Sequence, residues 1–267
     1  MTVAIGLVCS DGVVVASDSM ASTISNTAHP AQKVRACPEL NAVWTAAGSV
    51  YIIEEVDQAL KDLEVTAASQ PITKAAFAKP DLPVIRQNLQ SFVCDAMKRA
   101  YGSAMPGVNA IPTPFGGTQH PWHSDFLVLG YSSGTPYALE IAGDGQLNWH
   151  TAAKFCAVGS GGPFADVTNG LMAHYVEGDD LPVKLGLWVA YRAIETTCRV
   201  SSSLVGPPVQ LAVVDEGGAR VLSSEEIDEV DAGVQGWLTA EKASLREPNK
   251  AIDNDDVEEP PTLEASS

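Results

Sequence analysis

Thr2 stands directly behind Met1, at the head of the apolar run TVAIGLVC. Methionine before a small residue is a good substrate for methionine aminopeptidase, so the mature chain is expected to begin at Thr2. A terminal threonine combines a hydroxyl nucleophile with a free α-amine on one residue. The ordinary pKa of that amine is about 7.7–8.0, so part of it is neutral near pH 7 and can take the hydroxyl proton. No histidine is then required. A lysine ammonium beside the hydroxyl would favour the alkoxide, and a carboxylate would hold that lysine charged and in place. Asp18 and Lys33 are the candidates for those two parts. Acyl transfer also needs an oxyanion hole, for which the backbone N–H of a glycine at a strand end is suited, and Gly48 sits at such a point.

These residues need elements to position them. Thr2–Cys9 and Val13–Ser17 read as two strands joined by the turn Ser10-Asp11-Gly12. Asn41–Ala47 is a third strand. From Ser49 the spacing of Val50, Ile53, Val56, Leu60 and Leu63 predicts a helix, and Leu82–Tyr101 a second. Gly102–Trp122 is rich in Gly and Pro and reads as a loop. Phe126–Tyr131, Pro136–Ala142 and Gln146–Thr151 form a meander, and Ala157–Gly162 a Gly-rich turn. Helices follow over Phe164–Val176 and Val183–Thr197, then a strand over Val209–Val214. Strands, two helices, strands, two helices, strand is the order of an α+β layered fold and not of a doubly wound parallel sheet. Ser223-Ser224-Glu225-Glu226 is a capping box opening a short helix marked by Ile227, Val230, Val234 and Trp237.

Composition excludes several classes. The 267 residues are 45% hydrophobic and 18% charged, ordinary for a globular protein. Acidic residues number 33 against 16 basic, a formal charge of −17, which argues against nucleic acid or an anionic membrane as partner. Much of that excess lies in the last forty or so residues. No apolar run approaches the ~20 residues that span a bilayer. The N-terminus lacks the basic region of a signal peptide. Cys9, Cys37, Cys94, Cys156 and Cys198 are odd in number and form no C-x-x-C pair, which fits a reducing compartment, and a cytoplasmic location is expected.

Taken singly, the chemical residues have ordinary explanations. Threonine is common at position 2, Asp18 suits a turn, Lys33 a solvated surface, and Gly48 a strand end. Their joint order along these elements favours the catalytic reading. His120-x-x-His123 has no ligand cluster beyond Asp125 and reads as a plain polar loop, so no metal is expected. The turn Gly159-Ser160-Gly161-Gly162 lacks the lysine and Ser/Thr of a phosphate-binding loop, and no cofactor is expected.

TVAIGLVCSDGVVVASDSMAS, then QKV, then WTAAGSV, resembles a proteasome-type β-subunit of the N-terminal-nucleophile (Ntn) hydrolase family, and CAVGSGGPFA followed by helices and VQLAVV is similar to the second half of the same domain. The resemblance spans roughly Thr2 to Val221. It implies a four-layer αββα sandwich, two antiparallel sheets between helix pairs. It also implies Thr2 as nucleophile, Asp18 and Lys33 as its charged supports, and Gly48 N–H as oxyanion donor. Ser160 would assist the terminal amine, and Ser22 would align the substrate backbone. Met20, Ala21 and Ala46 would line the pocket for the side chain before the cut bond. The family carries an aspartate after its fourth helix, whereas CRVSSSLVGPP has none, leaving Ser201 or a neighbouring serine for that part. With Met1 alone before the threonine, the chain is nearer the simpler bacterial ring peptidases.

The expected organisation is an Ntn domain over 2–222, a helical extension over 223–247 and an acidic, disordered tail over 248–267. The first function class is a threonine-type endopeptidase or amidohydrolase acting on peptides or unfolded proteins inside a homo-oligomeric ring or stacked ring, with an ATPase unfoldase as feeding partner. The second is a non-catalytic assembly or docking subunit, motivated by the missing aspartate.

Overall fold

A computed structural model describes residues 2–22, 28–69, 82–104, 111–112, 118–119, 123–132, 134–150, 155–172, 181–201 and 205–246. The expected tail over 248–267 lies outside them. The fold is α+β, with five helices among the described residues and antiparallel sheets. One sheet is built on the hairpin of β1 (Ala4–Val8) and β2 (Val13–Asp18), flanked by β12 (Phe155–Val158) and by β13 (Val209–Asp215) with β14 (Gly218–Val221). Its order is β12-β1-β2-β13-β14. The second sheet contains β5 (Val34–Cys37), β6 (Ala42–Gly48), β9 (Ser124–Ser132), β10 (Thr135–Ile141) and β11 (Leu147–Trp149), in the order β11-β10-β9-β6-β5.

The strand sequences read as continuous apolar runs because both faces are buried, and successive side chains go to different cores. Ala4, Val13, Val15, Val43, Ala47, Leu127 and Leu129 meet in one cluster shared by the two sheets. The alternate residues Ile5, Leu7, Val14 and Ala16 pack with Val189, Ala190 and Ile194 of α4 (Val183–Val200) and Ala165 of α3 (Gly162–Met172). On the second sheet Trp44, Ala46, Phe126 and Val128 pack against Ile52, Val56 and Leu60 of α1 (Val50–Ser69) and Leu89 and Val93 of α2 (Leu82–Ala104).

Polar residues fix the ends. In the β1–β2 turn, Asp11 Oδ1 accepts the Val183 N–H at 2.7 Å, which puts a carboxylate at the N-terminus of α4. The capping box is present: Glu226 N–H donates to Ser223 Oγ at 3.3 Å and Ser223 N–H to Glu226 Oε2 at 2.8 Å. It opens α5 (Ser224–Arg246), which runs 23 residues. The Arg192 guanidinium stacks 4.4 Å from the Trp237 ring and bonds Glu241, holding α5 beyond its last buried valine, Val234.

Three expectations about elements change. Ala157–Gly162 is only partly a turn: its first two residues belong to β12, whose Phe155–Val158 pair with Leu7–Ala4. Of the expected loop Gly102–Trp122, α2 takes the first residues, and β7 (Ile111–Pro112) pairs with β8 (Thr118–Gln119). The remainder of that loop, with His120, lies outside the described residues. A small ribbon of β3 (Met20–Ser22) and β4 (Ala28–Pro30) stands between Asp18 and Lys33.

Candidate active site

Thr2 is locked where the first sheet meets the β12–α3 turn. The Thr2 carbonyl accepts the Gly161 N–H at 3.0 Å, and the Val3 carbonyl accepts from the Asp18 N–H at 3.2 Å and the Ser17 hydroxyl at 2.9 Å. The Thr2 N–H donates to Ser160 Oγ at 3.4 Å. Gly159 has φ +90°, and a Cβ there would lie 2.4 Å from the Thr2 carbonyl oxygen. Glycine is thus required both for the turn and for the close approach.

Asp18 ends β2 and is fully buried. A buried carboxylate is tolerable only when its lone pairs are filled, and here all four contacts are hydrogen-bond donors. Oδ1 accepts from Lys33 Nζ at 2.7 Å and the Val3 N–H at 3.1 Å, and Oδ2 from the Met20 N–H at 3.1 Å and the Gly206 N–H at 3.3 Å. Lys33 Nζ also donates to Thr2 Oγ1 at 3.1 Å, so the ammonium bridges carboxylate and hydroxyl. Burial pushes the Lys33 pKa below the ordinary 10.5, with the Asp18 charge acting in the opposite sense.

Lys33 is held by a residue that sequence reading missed. Gln210, on β13, accepts the Lys33 and Val34 N–H groups on Oε1 at 2.8 and 3.2 Å and donates Nε2–H to the Ala31 carbonyl at 2.7 Å. No local pattern marks Gln210, because its partners lie 177 and 176 positions away.

Gly48 has φ +136°, and a Cβ there would fall 2.3 Å from the His123 carbonyl oxygen and 2.5 Å from Ser124 Cα. The close approach follows from the Gly48–Ser124 pairing of β6 with β9. Ser124, likewise missed from sequence, accepts the Ser49 N–H on Oγ at 2.9 Å and so fixes the end of β6. A cavity of about 440 Å³ opens here, bordered by Thr2, Ala47, Gly48, His123, Asp125, Gly159 and Ser160. His123 Nε2 lies 2.9 Å from Asp125 Oδ1, so the motif read as a plain loop contributes a polar wall.

Four of the six candidate chemical residues, Thr2, Asp18, Lys33 and Ser160, are joined by hydrogen bonds, and Gly48 shares the cavity with Thr2 and Ser160. Ser201 closes α4, giving its N–H to the Thr197 carbonyl at 2.8 Å, and does not border the cavity. Nor do Met20, Ala21 and Ala46. Met20 packs on Gly206, Ala21 pairs with His29 in the small ribbon, and Ala46 is buried in the core beneath α1. Ser22 pairs with Ala28, and its side chain lies outside the described residues. Among the described residues, no group of three His, Cys, Asp or Glu is placed to hold a metal, and no helix is long and apolar enough to cross a membrane.

No family model and no curated protein matches the sequence. Solved structures do match. An Anbu (ancestral beta-subunit) from Yersinia bercovieri superposes with a TM-score of 0.64 at 13% identity, over 90% of this chain and 96% of that one. The chain shares the fold of that ancestral β-subunit. An Anbu (Gly-1) mutant from Hyphomicrobium sp. strain MC1 gives a TM-score of 0.65 at 16% identity, over 93% of this chain and 100% of the other.

Proposed function

We propose that this chain is a proteasome-like subunit with threonine-type peptidase or amidohydrolase activity, built as an αββα Ntn hydrolase and acting through Thr2 once Met1 is removed. The observation that carries the reading is the Lys33 ammonium, held 2.7 Å from Asp18 Oδ1 and 3.1 Å from Thr2 Oγ1. A surface lysine has no need of such a buried bridge.

In this reading the freed Thr2 nitrogen, near Ser160 Oγ, takes the hydroxyl proton while Thr2 Oγ attacks the peptide carbonyl. Lys33 stabilises the oxygen as it sheds its proton, and the Gly48 N–H stabilises the oxyanion. The C–N bond breaks, and the departing amine takes the proton from the Thr2 amine. Water then attacks the Thr2 ester, with the same amine as base, and releases the acid and the Thr2 hydroxyl. A homo-oligomeric ring would gate peptides or unfolded proteins to the cavity, and an ATPase unfoldase would feed it.

Thr2→Ala is expected to abolish peptide turnover by the purified chain while leaving its oligomeric mass unchanged. Turnover that survives this change removes the assigned nucleophile. A non-catalytic assembly subunit is the competing reading, favoured by the absence of an aspartate between Cys198 and Pro208. It predicts that the unsubstituted chain has no turnover either.

A further inference from the structure

The side chains at the base of the site balance their own charges, but the cavity wall does not. Of the described residues bordering the cavity, only His123 and Asp125 have ionisable side chains. The pair is firmly built. Asp125 Oδ1 accepts from His123 Nε2 at 2.9 Å and from the Gly143 N–H at 3.1 Å. The His123 ring lies against Gly143, where a Cβ would come within 2.4 Å of Nδ1. The Gly143 carbonyl is in turn held by the Tyr101 hydroxyl at 3.4 Å.

Among the described residues Asp125 Oδ2 accepts no hydrogen bond, and the carboxylate is a quarter exposed at the cavity. The Asp125 carboxylate thus stands on the wall of the same cavity as Thr2. Lys33 does not offset it, because that ammonium is committed to Asp18.

We propose that the His123–Asp125 pair is the specificity wall of this cavity and that it selects peptides presenting a cation, a protonated amine or guanidinium, beside the bond at Thr2. Asp125 Oδ2 is the acceptor, and His123 orients the carboxylate through Oδ1. A fixed carboxylate in a partly desolvated cleft favours a charged donor over its neutral isostere and repels an acid. The overall charge of −17 adds long-range attraction of the same sign. This inference rests on the peptidase reading only for the meaning of the bond; the cation site itself does not require turnover.

The test separates the two. Peptides that differ only in lysine against acetyl-lysine, or in a free against an acetylated N-terminus, are titrated by calorimetry into the full-length Thr2→Ala chain at about pH 7, where most of a free N-terminus is charged. One lysine position or the free N-terminus is expected to bind about tenfold tighter than its acetylated twin, and the two series tell side-chain from terminal cation. Adding Asp125→Asn, which keeps an acceptor for Gly143 and His123, should bring that ratio to within about twofold. Raising salt from about 50 mM to about 500 mM should shrink the ratio without any further substitution. Equal binding of every pair, no binding at all, or a ratio indifferent to both Asn and salt overturns the proposal. Labelling of Thr2 in the unsubstituted chain by an uncharged β-lactone reads the peptidase function separately. A cation preference without labelling would leave the binding site standing and remove the peptidase.

Discussion

The buried network behind Thr2 and the rim of the Thr2 cavity are built by opposite rules. Behind Thr2, at the base of the site, Asp18 is fully buried, Lys33 nearly so, and the carboxylate is filled by one ammonium and three backbone N–H groups from Val3, Met20 and Gly206. Those donors belong to the residue before β1, to β3 and to the segment before β13, so the arrangement is set by how the chain closes the first sheet. At the rim, Ser160 is exposed and reaches Thr2 at 3.4 Å, and His123 and Asp125 are partly open. The base can change only together with the fold, whereas the rim can change with little loss of stability. Reaction type should therefore reside in the first region and substrate choice in the second.

The largest effect should come from Asp18→Asn. It leaves the Lys33 ammonium buried without its counter-charge, a loss on the order of 3–5 kcal/mol. Urea unfolding should show the drop, and turnover should vanish with it; a stability within 1 kcal/mol of the parent (about the value of one ordinary hydrogen bond) would break the contrast. Gly48→Ala strikes the edge between the regions. Its φ of +136° and the His123 carbonyl leave no room for a Cβ, so stability should fall by about 1–3 kcal/mol. If the Gly48 N–H holds the oxyanion as proposed, turnover should fall by about 10²-fold or more.

Alkaline stability sharpens the comparison further. Burial raises the thiols of Cys37 and Cys156 to about 12 and that of Cys198 to about 11, from an ordinary 9.0. Between pH 9 and about 12 the folded state therefore keeps protons that the unfolded state has lost, and stability falls as pH rises. Lys33 has the opposite sign, because its lowered pKa lets the folded state shed a proton first and the burial penalty is relieved toward pH 10.5. Three thiols against one lysine predict a net fall, measurable as a declining unfolding midpoint from pH 8.5 to 11.5, and a Cys156→Ala chain should decline less. The smallest effect belongs to the rim. Ser160→Ala should leave stability within about 0.5 kcal/mol and lower turnover by about tenfold or less, the worth of one hydrogen bond.

The same division decides what could be read from sequence. Asp18 was legible because a strand pattern runs straight into it, and the α+β order followed from period-2 and period-3.6 runs. Continuous apolar strands announced two buried faces, and the alternation of Val13 and Val15 with Val14 and Ala16 between two cores accounts for them. Gln210, Ser17 and Ser124 were not legible, because each acts by a side chain on the backbone of a segment remote in sequence. His123 looks like an ordinary loop residue in sequence, and the Gly48–Ser124 register brings it to the wall of the Thr2 cavity. Residues 157–158 looked like part of a turn because Gly159 follows a strand of only four residues.

The proposed activity requires that Thr2, freed of Met1, be the attacking group. Intact-mass analysis of the purified chain before and after an uncharged β-lactone, followed by peptide mapping, tests it most directly. The expected result is a chain lacking Met1 that gains one adduct, mapped to Thr2 and absent from Thr2→Ala. Retained Met1, or an adduct that maps elsewhere and persists in Thr2→Ala, would contradict it.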